Sequence, residues 1–148
     1  MKNFFFTLVF WVSIISCYSQ ETVKYSSDWN PVFENQHVKI FSKYFKCEIP
    51  QEGLYAEYII LKAENKTDQR IQLSWYNDTY FENGCTNCDH SKRDTKRSII
   101  LLPKEIKEGD CMPGLNTGLK IFSKWLKMEN RILLNKLSLT EINTSFIN

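Results

Sequence analysis

Apolar and polar side chains alternate along positions 71–76, and this alternation limits the possible folds of the chain more than any other feature. Ile71, Leu73 and Trp75 fall on one side of an extended chain, and the intervening residues fall on the other. A period of two residues is typical of a β-strand with one buried face. The pattern therefore predicts a strand here, with Trp75 as an anchor of the core.

Other stretches also have the composition of short strands separated by turns. Positions 54–63 are rich in β-branched and aromatic residues, and with 71–76 they predict a hairpin around the turn cluster 65–69. Further strands are expected at 38–46, 98–102 and 136–142. Short strands at intervals of about ten residues, without a long helical pattern, predict an all-β fold, an immunoglobulin-like or fibronectin-like β-sandwich.

Length and charge narrow the class of protein. The 148 residues suit one domain. The 19 basic and 17 acidic side chains leave a formal net charge of +2. This balance excludes a strongly basic nucleic-acid-binding protein, so we expect no nucleic acid among the partners.

The N-terminus has the pattern of an export signal. Lys2 precedes an apolar run of about a dozen residues, whereas a membrane-spanning helix needs roughly 20. Cys17 and Ser19 fit a signal-peptidase site that would release a secreted or periplasmic chain beginning at Gln20. Cys17 also ends a sequence that resembles a lipoprotein box, so acylation of Cys17 and attachment to the outer membrane is the alternative. We therefore predict a signal peptide over 1–19, an N-terminal arm over 20–36 and the β-sandwich domain over 37–148.

Four cysteines remain after the signal peptide, and they predict disulfides. An even number of cysteines in a small exported domain is typical of disulfide bonding in an oxidising compartment. Three pairings are possible for the four residues, which are Cys47, Cys85, Cys88 and Cys111. Because the constraint on the unfolded chain grows with loop size, bonds from Cys85 and Cys88 to Cys47 and Cys111 are favoured over a bond within the pair.

The spacing Cys85-x-x-Cys88 also allows two chemical interpretations. One is a thiol-redox motif, and the other is a zinc site formed by Cys85, Cys88, His90 and one of the two remaining cysteines. The motif lies in a polar loop without the helical pattern of a redox motif, and no second cysteine pair stands at zinc-finger spacing. Structural disulfides are therefore favoured, and no cofactor is expected.

The polar loop 82–97 is the predicted contact surface for a partner. A loop restrained by cysteines loses less conformational entropy on binding than a free one. Its predicted binding residues are Asp89, His90, Lys92, Arg93, Lys96 and Arg97. No nucleophile, phosphate-binding or metalloprotease motif occurs in the chain, so no catalytic residue is predicted.

Positions 38–46 and 119–127 are near-copies that share six identities in nine. The first is predicted as a strand. For the second, strand and helical turn stay open, because Phe122, Trp125 and Leu126 also stand at helical spacing. Their lysines could form a basic stripe for acidic glycans or lipid headgroups. A solvated strand face that discourages edge pairing is the favoured interpretation of these lysines, which are Lys39, Lys43, Lys120, Lys124 and Lys127.

The order of cysteines and core residues over most of 38–142 resembles a group of small exported proteins of Bacteroidetes-type bacteria. The resemblance rests on Cys47, the strand 55–63, Ser74-Trp75, Gly84-Cys85-x-x-Cys88 and Gly109-x-Cys111, followed by the segment 119–124. It implies export and an immunoglobulin-like sandwich. It implies no activity, so it assigns no catalytic residue.

Together these features predict an exported, non-enzymatic binding or cell-envelope accessory module. Its expected partner is a protein or glycan of the cell envelope, and contact with a membrane is expected only if Cys17 is lipidated. The alternative function is metal binding or thiol-redox chemistry centred on Cys85 and Cys88.

Overall fold

The computed structural model describes residues 21–91, 96–112, 114, 117–128 and 132–148. The predicted signal peptide, with Cys17, lies outside these residues. Within them the chain forms strands and two short 3-10 turns, Pro50–Glu52 and Thr117–Leu119. The strands are β1 (Glu21–Thr22), β2 (Asn30–Glu34), β3 (Val38–Ile49), β4 (Leu54–Asn65), β5 (Ile71–Phe81), β6 (Gly84–Cys85), β7 (Lys96–Leu101), β8 (Ile106–Glu108), β9 (Lys120–Trp125) and β10 (Lys136–Phe146).

The strands form two antiparallel sheets, and the fold is all-β as predicted. In the first sheet β1, β10 and β5 are neighbours, and β6 and β7 both pair with the remaining edge of β5. In the second sheet β2, β3 and β4 are neighbours, and β8 and β9 both pair with the remaining edge of β4. The predicted arm 20–36 therefore contributes two edge strands, β1 and β2.

The core lies between the sheets and is built from alternate residues of their strands. Trp75 on β5 is only 1 % exposed, and its Nε1 donates a hydrogen bond to Asn77 Oδ1 at 2.8 Å. The other members of the core cluster come from both sheets, for example Ile40 and Leu61 from the second and Leu139 from the first. The alternation at 71–76 and the role of Trp75 are confirmed, because burial of apolar surface selects this face.

The predicted hairpin between 54–63 and 71–76 is wrong. β4 belongs to the second sheet and β5 to the first, so the turn cluster carries the chain from one sheet to the other. Asn65 is 1 % exposed, and its Nδ2 donates to the carbonyls of Gln69 and Leu102, both at 2.8 Å. Its Oδ1 accepts from the backbone N–H of Thr67 at 2.9 Å. The predicted turn at 65–69 is confirmed, but turn chemistry alone does not decide which strands pair.

The near-copies form β3 and β9, which flank β4 on its two sides. The first is a strand, as predicted. The second, for which the sequence leaves strand and helical turn open, is a strand preceded by the 3-10 turn Thr117–Leu119. A disulfide between Cys47 on β3 and Cys111 ties the connection between β8 and β9 to the second sheet, with 5.6 Å between the Cα atoms. At the start of this connection a Cβ added to Gly109 would lie 2.3 Å from the carbonyl oxygen of Leu119, so only glycine fits.

No helix in the described part of the chain is long and apolar enough to cross a membrane.

Candidate functional site

The predicted binding loop 82–97 is closed locally by the second disulfide. Cys85 pairs with Cys88, with 5.8 Å between the Cα atoms, so the favoured bonds from this pair to Cys47 and Cys111 are wrong. The β5–β6 ladder holds Cys85 opposite Tyr80 in the first sheet, whereas Cys47 lies in the second sheet. Loop entropy describes only the unfolded chain, and the native distances decide which cysteines meet.

His90 anchors the same loop to the outer face of the first sheet. Its Nε2 lies 2.7 Å from Asp78 Oδ1, and its Nδ1 lies 3.1 Å from Glu141 Oε1. The imidazole stacks on the Tyr76 ring with 4.1 Å between centroids. Asp78 is 4 % exposed, and its second oxygen accepts a hydrogen bond from the hydroxyl of Thr140 at 3.2 Å. We call His90, Asp78, Glu141 and Tyr76 the His90 clamp.

The clamp favours the cationic form of His90. A ring nitrogen donates to a carboxylate only when it carries a proton, and both nitrogens of His90 face carboxylates. The hydrogen bond to Asp78 is the main cause that raises the pKa of His90, with a smaller contribution from Glu141 and against a partial desolvation. An imidazolium has no lone pair to accept a proton, so His90 in this state is an anchor rather than a general base.

Of the predicted loop residues that the structure describes, only His90 belongs to the clamp. Lys92 and Arg93 lie outside the described residues. Asp89 accepts a hydrogen bond from the backbone N–H of Ser91 at 3.2 Å and so stabilises the turn. The two sulfurs of the Cys85–Cys88 disulfide are not thiolates, and no group of three metal-binding side chains occurs in the described ranges.

Lys96 and Arg97 are the first two residues of β7, and their side chains project from opposite faces of the first sheet. In the ladder with β5, Lys96 lies opposite Tyr76 and Arg97 opposite Trp75. Trp75 belongs to the core, so Arg97 is on the inner face and Lys96 is on the outer face.

A polar trough, which no local sequence pattern indicates, runs over the outer face of the first sheet. Its volume is about 530 Å³. Gln72 Nε2 donates to Ser98 Oγ across the floor at 2.7 Å. Tyr76 follows on the same face of β5, so the His90 clamp lies at one end of the trough. We call this cavity the outer trough, and its lining residues are Gln72, Ser74, Lys96, Ser98, Asn143, Thr144 and Ser145.

A β-bulge in β10 separates the clamp from the outer trough. The pairing with β5 shifts register between Thr140 and Asn143, and Glu141 has a left-handed φ of 48°. A bulge bends its strand and redirects side chains, and here the Glu141 carboxylate reaches His90. The polar positions 72 and 74 are visible in the sequence, but their neighbours from β7 and β10 are set by the pairing alone.

The predicted lysine stripe is not a free basic surface. Lys39 pairs with Glu34 at 3.0 Å, and Lys43 pairs with Glu108 at 3.3 Å. The ammonium of Lys43 also lies 4.2 Å from the centroid of the Trp29 ring. These contacts offset the charge of Lys39 and Lys43 on the outer face of the second sheet, in line with the favoured interpretation of a solvated strand face.

A bulge in β9 removes Lys124 from the stripe. Tyr58 pairs with Phe122 while Glu57 pairs with Lys124, so Ser123 is an extra residue in β9. One extra residue reverses the face of the residues that follow. The Lys124 ammonium consequently reaches the Glu57 carboxylate, which is 2 % exposed, at 3.2 Å.

Comparison of the chain with known protein families, with curated proteins and with solved structures gives no match. The function is therefore argued from the geometry above.

Proposed function

We propose that the protein is an exported, non-enzymatic binding module that takes a glycan of the cell envelope into the outer trough. The observation that carries the proposal is the trough itself, a concavity of about 530 Å³ lined only by polar side chains. This volume lies within the usual range of ligand sites.

The chemistry of the lining favours a glycan over a protein partner. Protein interfaces rely on buried aromatic, Met and Arg anchors, and none of these lines the outer trough. Short hydroxyl and amide side chains, such as Ser74, Ser98 and Asn143, both donate and accept hydrogen bonds. Sugar hydroxyls need this pattern of partners, and Lys96 adds one positive charge for an acidic substituent.

The disulfide-closed loop supports the proposal by holding one end of the trough in place. The loop leads from Cys88 to His90, and the clamp fixes His90 against β5 and β10. A preorganised site loses less conformational entropy when a ligand binds. The two disulfides suit an oxidising compartment, so export remains part of the proposal. The immunoglobulin-like topology of the sandwich also remains part of it.

A substitution that fills the trough tests the proposal. Ser98 is exposed on β7, and Ser98→Tyr places a large ring over the trough without disturbing the core. Glu48→Tyr, at an exposed position of β3 in the second sheet, is the matched control. We expect oligosaccharides of the native envelope to bind the parent and Glu48→Tyr in calorimetry, and to lose binding to Ser98→Tyr at an unchanged melting temperature. Equal binding by Ser98→Tyr would remove the trough as the site.

Thiol-disulfide exchange is a second candidate, because Cys85 and Cys88 pair with each other and both are exposed. Exposed local disulfides are the more readily reduced ones. In this function the Cys85–Cys88 disulfide would take up two electrons and two protons from a substrate dithiol, which is oxidised to a disulfide. The test is to incubate the protein in a glutathione buffer set to the redox potential of an extracytoplasmic compartment. Mass spectrometry then measures the fraction of the Cys85–Cys88 bond that is reduced. A bond that stays oxidised throughout would exclude the exchange.

A further inference from the structure

A second cavity lies on the inner side of the first sheet, where the edges of the two sheets approach each other. It has a volume of about 220 Å³ and lies between the end of β5, the loop after β6, the start of β7 and β9. Arg97, the inward neighbour of Lys96, reaches it. We call it the edge crevice, and it does not share a lining residue with the outer trough.

The edge crevice is electropositive. Arg97 supplies the charge, and none of its lining residues, all of which are described, carries a carboxylate. Lys120 contributes no charge there, because it pairs with Ile60 on the outer face of the second sheet and its ammonium donates to the carbonyl oxygens of Cys111 and Met112 at 3.3 and 3.2 Å. Arg97 forms no ion pair with a carboxylate of the residues that the structure describes. A guanidinium without an ion-pair partner can bind a planar carboxylate through two parallel hydrogen bonds.

Polar groups of fixed orientation stand beside the guanidinium. Asn77 is 5 % exposed, and its Oδ1 accepts the hydrogen bond from Trp75 Nε1, so its amide N–H groups are the ones left for a ligand. Thr79, which is 4 % exposed, and Asn87 add a hydroxyl and a second amide to the lining. The crevice thus combines one site for a carboxylate with several sites for hydroxyl groups.

Size and apolar surface complete the description of the ligand. A volume of about 220 Å³ suits a ligand the size of one sugar ring. Phe81 and Ile121 supply apolar surface for the C–H face of a sugar. We infer that the edge crevice is a binding site for one uronic acid residue, with Arg97 on its carboxylate and Asn77 on a ring hydroxyl.

The Trp75 indole N–H is a built-in reporter for this site, because it bonds the same Asn77 that would contact the ligand. Nitrogen-15 NMR of the full disulfide-bonded domain, titrated with sodium glucuronate or galacturonate, should shift the Trp75 indole, Asn77 and Asn87 signals. Glucose and galactose, which lack the carboxylate, should shift them much less at the same concentration. Absence of a shift, or equal shifts with the neutral sugars, would overturn the inference.

Substitution of the two adjacent cations separates this site from the outer trough. Arg97→Gln should weaken uronate binding by about tenfold or more, since a hydrogen bond to a charged group is lost. Lys96→Gln, one residue away on the opposite face, should leave it unchanged. Arg97→Lys keeps the positive charge but loses the two parallel hydrogen bonds, so its affinity for uronate should lie between those of the parent and Arg97→Gln. It also keeps the test usable if Arg97→Gln does not fold.

The inference stands apart from the proposed function. Ser98→Tyr fills the outer trough and should leave uronate binding intact, so loss of one site does not imply loss of the other. Parent-like uronate binding by a folded Arg97→Gln would overturn the assignment of the crevice.

Discussion

The two disulfides share one chemistry and have different consequences. Cys47–Cys111 joins residues 64 positions apart, and Cys47 is 1 % exposed. Cys85–Cys88 joins residues three positions apart, and both are exposed. The first ties a long connection to the second sheet, and the second shapes only the end of one loop in the first sheet.

The difference shows that a disulfide's effect depends on what it restrains in the unfolded and the folded chain. A long closed loop removes many conformations from the unfolded chain, so its bond contributes to global stability. A short one removes few, and its effect depends on the local contacts that it positions. For Cys85–Cys88 those contacts are the His90 clamp and, through it, one end of the outer trough.

The largest expected effect is removal of the long-range bond. Cys47→Ala with Cys111→Ala should lower the free energy of unfolding by about 4 kcal/mol, as expected for a closed loop of this length. Urea unfolding at neutral pH, followed by tryptophan fluorescence, measures the change. A loss below about 1 kcal/mol would mean that the two bonds do not differ in the proposed way.

Removal of the local bond should have a smaller and local effect. Cys85→Ser with Cys88→Ser should lower the free energy of unfolding by about 1–2 kcal/mol, because the closed loop is short. Hydrogen exchange should rise at the backbone N–H of Thr86, which donates to the Thr79 carbonyl at 2.9 Å, and stay unchanged in β3 and β4. Increased exchange throughout both sheets would contradict a local role.

The smallest expected effect concerns the pH dependence of the His90 clamp. Because the raised pKa of His90 lies above its value in the unfolded chain, the clamp's contribution is fully present below about pH 6.5 and is lost as pH rises through the raised pKa. His90→Gln should therefore lower stability by about 1 kcal/mol at pH 6 and much less at high pH. Melting temperatures across this range provide the measurement.

Ser91→Ala is the matched control for the clamp, since it changes the next exposed residue and keeps the imidazole. The substitution also removes the hydroxyl that donates to Asp89 Oδ1, so its melting temperature should differ from that of the parent by the same amount at each pH. A stability difference between the parent and His90→Gln that stays constant with pH would exclude the cationic clamp.

The candidate site was only partly predictable. The restrained loop 82–97 was recognised from its cysteines and charges, and it does border the outer trough through Lys96 and the clamp. The trough was missed because Ser98 and Asn143 are brought beside Gln72 and Ser74 by strand pairing across long stretches of chain. The possible basic stripe does not include Lys124, because a single bulged residue places Lys124 on the opposite face of β9. No local sequence pattern indicates that bulge.

The sequence by itself determined that strands form at or near 38–46, 54–63, 71–76, 98–102 and 136–142, and which face of 71–76 is buried. Alternation at 71–76 and the β-rich composition of the near-copies act within a few residues, so they can be read along the chain. Only the tertiary structure decided which strands share a sheet, which cysteines meet and where Arg97 and Lys124 point. These outcomes depend on contacts between distant segments, whose free energies are summed over the whole fold and leave no signal in any one stretch.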